Sequence, residues 1–127
     1  MAGFSDFLET KVLEHVFGGS AYTAPTTLHI ALYTAAPSDS GGGTEVSGGA
    51  YARQTATFNV SGNTATNAAN VEYATASADY GTVVAMGIFD AATSGNLLAY
   101  GTLTTSKSVS TGDVFRFNAS AIDITLT

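Results

Sequence analysis

The chain reads as an all-β protein: a β-sandwich or jelly-roll-like barrel of seven to eight short strands, with one N-terminal α-helix. Three observations carry that reading. Apolar residues alternate with period two in short runs, clearest over Leu28–Thr34 and again at Ile122, Ile124 and Leu126. Turn-forming clusters punctuate the runs at near-regular spacing: Ser61-Gly62-Asn63, Ser77–Gly81, Ser94-Gly95-Asn96 and Thr111-Gly112-Asp113. Helical periodicity is convincing only near the start, over Phe4–Phe17. A length of 127 residues suits a single domain over 1–127, with the helix in 1–19 and the β-sandwich in 27–127.

Taken in order, the helix comes first. Ser5 is the expected N-cap, and Asp6 places a carboxylate in the first turn, where the helix dipole favours it. Leu8, Val12 and Val16 recur at i, i+4, with Leu13 and Phe17 beside them, and Gly18-Gly19 supplies the stop. Phe4, Phe7 and Phe17 fall outside the main row. The helix is therefore expected either to be buried on two sides, one of them by a partner subunit, or simply to cap one end of the β structure.

Leu28–Thr34 puts Leu28, Ile30 and Leu32 on one face and His29, Ala31 and Tyr33 on the other. Ala35–Gly49 is a long loop with Gly41-Gly42-Gly43 at its centre, expected to be mobile in the isolated chain. Tyr51–Val60 reads as one strand, with Ala52, Gln54, Ala56, Phe58 and Val60 sharing a face. A strand is expected around Val71–Ala74 and a strongly apolar one over Thr82–Asp90. Gly87 within the latter predicts a bulge or a close backbone approach. Leu97–Thr104, Val114–Asn118 and a last strand running to the final residue complete the set.

Composition narrows the function. The chain is 45% hydrophobic but only 11% charged, well below the usual quarter. Its surface is therefore rich in small uncharged groups, which suits permanent packing against neighbours. The net charge of −6, with Lys11, Arg53, Lys107 and Arg116 scattered, argues against nucleic acid and anionic membranes as partners. Without cysteine there are no disulfides or thiolate metal sites. No basic and apolar leader opens the chain, and no apolar run approaches the ~20 residues of a membrane span. Synthesis in the cytosol is expected, with any exit by lysis or within an assembly.

No catalytic, cofactor or metal constellation is visible. His15 and His29 lie on different elements, and no G-x-S-x-G elbow is present. Gly41–Gly43 is followed by neither a lysine nor a helix, so it is not a phosphate loop. Asp79, Asp90 and Asp113 each fall at a turn, where aspartate caps backbone groups. Calcium between such loops is a minor alternative, because none shows the alternating acidic spacing of a dedicated site. The scarce arginines are more informative. Arg53 has Tyr51 and Phe58 nearby, and Arg116 has Phe115 and Phe117. Such an arginine is either an ordinary surface strand residue or one that stacks on a ring or makes a forked pair with a carboxylate. In the second reading Arg53 pairs across subunits with an acid such as Glu45. The candidate subunit-contact residues are Glu45, Tyr51, Arg53, Phe4, Phe7 and Arg116.

Five segments also carry a resemblance: VFGGSAYTAP (Val16–Pro25), LHIALYTAAPSD (Leu28–Asp39), GTEVSGGAYARQTATF (Gly43–Phe58), YGTVVAMGIFDAATSGNLLAYGTLTTSKSV (Tyr80–Val109) and GDVFRF (Gly112–Phe117). In that order they resemble a family of small structural proteins of tailed bacteriophages and prophages, often labelled tail fibre or tail-associated proteins. The resemblance implies a non-enzymatic virion component, made in the bacterial cytoplasm, without cofactor. Its implied partners are copies of itself and other virion proteins, with a place at the tail, its fibres or the collar. A capsid decoration (cement) protein is the alternative within that class. A host-glycan-binding or depolymerase module is the alternative outside it.

Overall fold

A computed structural model of the chain describes residues 3–126. It is an all-β, sandwich-like fold of several antiparallel sheets with one short helix. The sheets do not close on themselves, so the barrel alternative falls away.

The chain opens with β1 (Gly3–Phe4), which pairs Gly3 with Tyr100 and Phe4 with Ala99. Phe4 thus belongs to a strand, and α1 starts later, at Asp6–Val16. Ser5 is its N-cap as expected: the hydroxyl accepts from Leu8 N–H at 3.3 Å and donates to the Leu97 carbonyl. At the other end Gly18 N–H and Ser20 N–H satisfy Glu14 C=O, and Gly19 turns the chain at φ +75°. No helix residue is buried. The chain's own sheets therefore bury neither side of the helix fully, and the expected burial by a partner subunit is left to an assembly. Ser5 N–H bonds Leu98 C=O and Asp6 N–H bonds Asp39 C=O, so the helix is tied down at its N-terminus. Its far end stands in solvent, with Leu13 and Val16 exposed and Phe17 82% exposed.

The main sheet is built on β2 (Leu28–Ala35), β8 (Gly81–Phe89) and β9 (Leu97–Val109), in the order β1-β9-β8-β2-β3, where β3 is Thr44–Glu45. β4 (Gln54–Ala56) pairs with the first half of β2, alongside β3 on the second half. Two small sheets face it: β10 (Arg116–Phe117) with β7 (Val71–Glu72), and β11 (Asp123–Thr125) with β6 (Thr64–Asn67) and β5 (Phe58–Ser61).

The alternation in β2 is realised on both faces. Ile30 and Leu32 join Val83, Met86, Ile88, Tyr73, Phe115 and Phe117 in the larger core. Ala31 and Tyr33 join Ala85 and Phe89 in a second, smaller one. Gly87 is the close approach the sequence predicts: a Cβ there would lie 2.9 Å from Leu97 Cδ1 and 3.0 Å from Tyr33 Cε1. The register shifts lie beside it, between Val83 and Ala85 and between Ile88 and Phe89.

Several elements differ from the sequence reading. Tyr51–Val60 is two strands, not one: β4 pairs in the main sheet, and after Thr57 the chain crosses to pair β5 with β6. The crossing breaks the alternation, so Val60, expected on the core face, is 76% exposed. β6, TATN, has almost no apolar signal; buried Asn67 anchors it, donating to Ala69 C=O and Asn118 C=O and accepting from Ile122 N–H. β9 continues to Val109, and regular pairing in Val114–Asn118 is limited to Arg116–Phe117. The last strand ends at Thr125; Thr127, where it was expected to finish, lies outside the described residues. None of the described helices is long and apolar enough to cross a membrane.

Candidate functional site

β3 and β4 leave a gap on the edge of β2. β4 pairs as far as Ile30, and β3 begins at Tyr33. A strand edge there would carry unpaired backbone groups in the interior, at real cost. Two tyrosines fill the gap. Tyr51 Oη accepts from Leu32 N–H at 3.0 Å, and Tyr73 Oη donates to Ile30 C=O at 2.7 Å. Their rings stack at 6.0 Å between centroids, with Tyr80 edge-on to Tyr51. Val46 N–H then closes on Leu32 C=O.

Tyr51 also donates to Glu45 Oε2 at 2.7 Å. Arg53 completes the group with a forked pair on the same carboxylate: Nε to Oε2 at 2.9 Å and Nη2 to Oε1 at 2.8 Å. Its Nη1 donates to Ala91 C=O at 3.0 Å and Ser94 C=O at 2.8 Å. The guanidinium lies over the Phe89 ring, 3.7 Å from its centroid. So Glu45, Tyr51 and Arg53 do come together, but inside one chain. The pair assigned by sequence to two subunits is intramolecular, because β3 and β4 both run along β2 and bring the two side chains face to face. The ring beneath Arg53 is Phe89, not Tyr51 or Phe58.

The electrostatics follow the geometry. Burial pushes the Glu45 carboxyl up, but the hydrogen bonds from Arg53 and Tyr51 and the arginine charge outweigh it and leave it below the usual carboxylate range. Burial, then the hydrogen bond to Glu45, pushes Tyr51 far above an ordinary phenol. The hydrogen bond to Glu45 raises Arg53 further. A depressed folded-state value means that unfolded Glu45 holds its proton more tightly. The pair's stabilisation is present above the unfolded carboxyl range, about pH 4.3, and is lost as pH falls through the lower folded value. Thermal melting followed from neutral to acidic pH should therefore show the gap between wild type and Glu45→Gln closing as pH falls below the ordinary carboxyl range. A constant gap between the two at all pH values would contradict this.

The other candidates lie apart. Phe4 is half-buried in β1. Phe7 meets Tyr22 edge-on at 6.4 Å, with Lys11 Nζ 5.8 Å from its centroid. Arg116 is 3.7 Å from Glu72, both half exposed, so that pair is weak. His15 Nδ1 accepts from Tyr22 N–H. The buried Nδ1 of half-buried His29 has no hydrogen-bond partner among the described residues. Asp79, Asp90 and Asp113 cap turns as expected, through Thr111 N–H, Asn96 N–H and Ser110 N–H. Among the described residues no three His, Cys, Asp or Glu side chains gather as a metal site.

Beside the Glu45–Arg53 pair lies an open cavity of about 640 Å³. Ser5, Asp6 and Phe7 at the helix start form one wall, Asp39–Gly43 another, and Gly95–Leu97 a third, with Tyr33, Glu45, Arg53 and Phe89 also lining it. Sequence reasoning missed Tyr33, Asp39 and Phe89 here. The alternation of β2 puts Tyr33 opposite the larger core, which was the one usable signal.

A family model described as "Podophage GP4 fiber I protein gp80" matches residues 3–125. A search of curated proteins finds no match.

Proposed function

The chain belongs to the family of the Podophage GP4 fiber I protein gp80, and from that membership we propose a non-enzymatic structural part of a tailed-phage virion. It associates with copies of itself and docks on another virion protein, at the tail, its fibres or the collar. The observation that carries this reading is the match to a fibre protein over nearly the whole chain. The structure adds two supports. Leu13, Val16 and Phe17 form an exposed apolar row at i, i+3, i+4 on a helix end that nothing among the described residues covers. The surface also has few charges to desolvate on packing.

Quantitative mass spectrometry of purified particles tests it. A copy number that is a small multiple of the tail's rotational symmetry is expected. Hundreds of copies would transfer the chain to the shell as a decoration protein. Absence from purified particles would remove it from the virion.

A further inference from the structure

The cavity beside Glu45 and Arg53 holds an unusual group. Tyr33 is only 4% exposed as a residue and no hydrogen bond joins its hydroxyl to a described side chain, yet the hydroxyl is not among the fully buried polar atoms, so its small exposure is to the cavity the residue lines. A tyrosine with a buried ring and a hydroxyl at a cavity wall offers that hydroxyl to whatever occupies the cavity. Here the residue lines the cavity, and what remains for its hydroxyl lies there. Burial, then the Glu45 charge, raises its pKa, so the phenol is neutral and free to accept or donate.

The other groups around the cavity are mainly acceptors. Arg53 commits four N–H contacts to Glu45, Ala91 and Ser94. Glu45 and Arg53 neutralise each other. Asp6 and Asp39 do not take part in any ion pair among the described residues. Asp39 accepts one hydrogen bond, from Tyr100, through Oδ1. That hydrogen bond, with the charges of Asp39, Asp6 and Glu9, raises the Tyr100 hydroxyl, as an anionic mouth should. Asn96 uses its amide N–H on Asp90, which leaves its Oδ1 as an acceptor. An anion would be repelled here. A neutral hydroxylated ligand would leave the two carboxylates without a counter-charge. A guanidinium brings five donors, no acceptor and one positive charge.

We propose that this cavity receives an arginine side chain from another virion protein, with Asp6 and Asp39 holding the charge and the Tyr33 hydroxyl accepting an N–H at the floor. Only the source of that arginine rests on the virion reading above; the binding chemistry belongs to the cavity alone.

The test uses the isolated full chain. A capped Gly-Arg-Gly peptide is titrated while the Tyr33 ring and Asn96 side-chain amide signals are followed by NMR. A peptide with citrulline in place of arginine serves as the neutral isostere. Saturable shifts with the arginine peptide are expected, weakening as salt is raised. Tyr33→Phe and the double change Asp6→Asn, Asp39→Asn should each weaken binding about tenfold. Tyr33→Phe removes a hydroxyl without a partner among the described residues, so its melting temperature should match wild type and folding does not confuse the result. No saturable shift, equal shifts with citrulline, or unchanged binding by the double variant would overturn the proposal. Particle incorporation is read separately, so failure of the virion reading leaves the peptide result standing, and the reverse.

Discussion

Arg53→Met should destabilise the chain by about 3 kcal/mol, a large share of the roughly 5–15 kcal/mol that holds a domain together. The Arg53 side chain is 8% exposed and Glu45 26%. Methionine keeps the apolar stem over Phe89 but leaves the Glu45 carboxylate without its forked partner, and the Ala91 and Ser94 carbonyls without donors. Glu45 keeps some contact with water, which places the loss at the lower end of about 3–5 kcal/mol for breaking a buried pair. Arg53→Lys should recover little, since one ammonium cannot reproduce both the fork and the two carbonyl bonds. Urea denaturation measures both. A loss below about 1 kcal/mol for Arg53→Met would reduce the pair to an ordinary surface contact.

The second large effect concerns the glycine run. Gly41, Gly42 and Gly43 all have positive φ, at +100°, +79° and +75°. They differ in their surroundings. A Cβ on Gly42 meets nothing within 4 Å, whereas one on Gly43 would lie 2.6 Å from Ala35 O, 2.7 Å from Pro37 N and 2.9 Å from Ala36 C. All three are backbone atoms at the end of β2 and just past it, where Ala35 pairs with Thr44 of β3. Gly42→Ala should cost only the left-handed backbone term of about 1–2 kcal/mol. Gly43→Ala adds an overlap of about 1–3 kcal/mol, for a total of about 2–5 kcal/mol. It should also loosen the Glu45 carboxylate that β3 positions. Melting temperatures of the two variants decide the matter, and equal losses would mean that the close packing at Gly43 is unimportant.

These two sites mark how far the sequence could be read. The helix cap at Ser5, the two-faced alternation of β2 and the tight approach at Gly87 were legible because each is local: a cap, a period of two, a glycine in an apolar run. The change of sheet at Thr57 was not, because the alternating pattern runs straight through it. β6 was invisible because its anchor is a buried asparagine and not an apolar face. Glu45 and Arg53 were legible as partners, but not as partners within one chain. That depends on β3 and β4 lying end to end along one edge of β2, a consequence of topology. Phe89, the ring under Arg53, lies on β8 and gives no local sign of the contact. At the helix end apolar residues announce burial but do not say by what, and nothing among the described residues covers Phe17.

Electron microscopy of particles carrying this chain with a compact tag would locate it directly. Extra density at the tail, its fibres or the collar is the expected result. Density spread over the shell, or particles that assemble fully without the tagged chain, would contradict a fibre component of the virion.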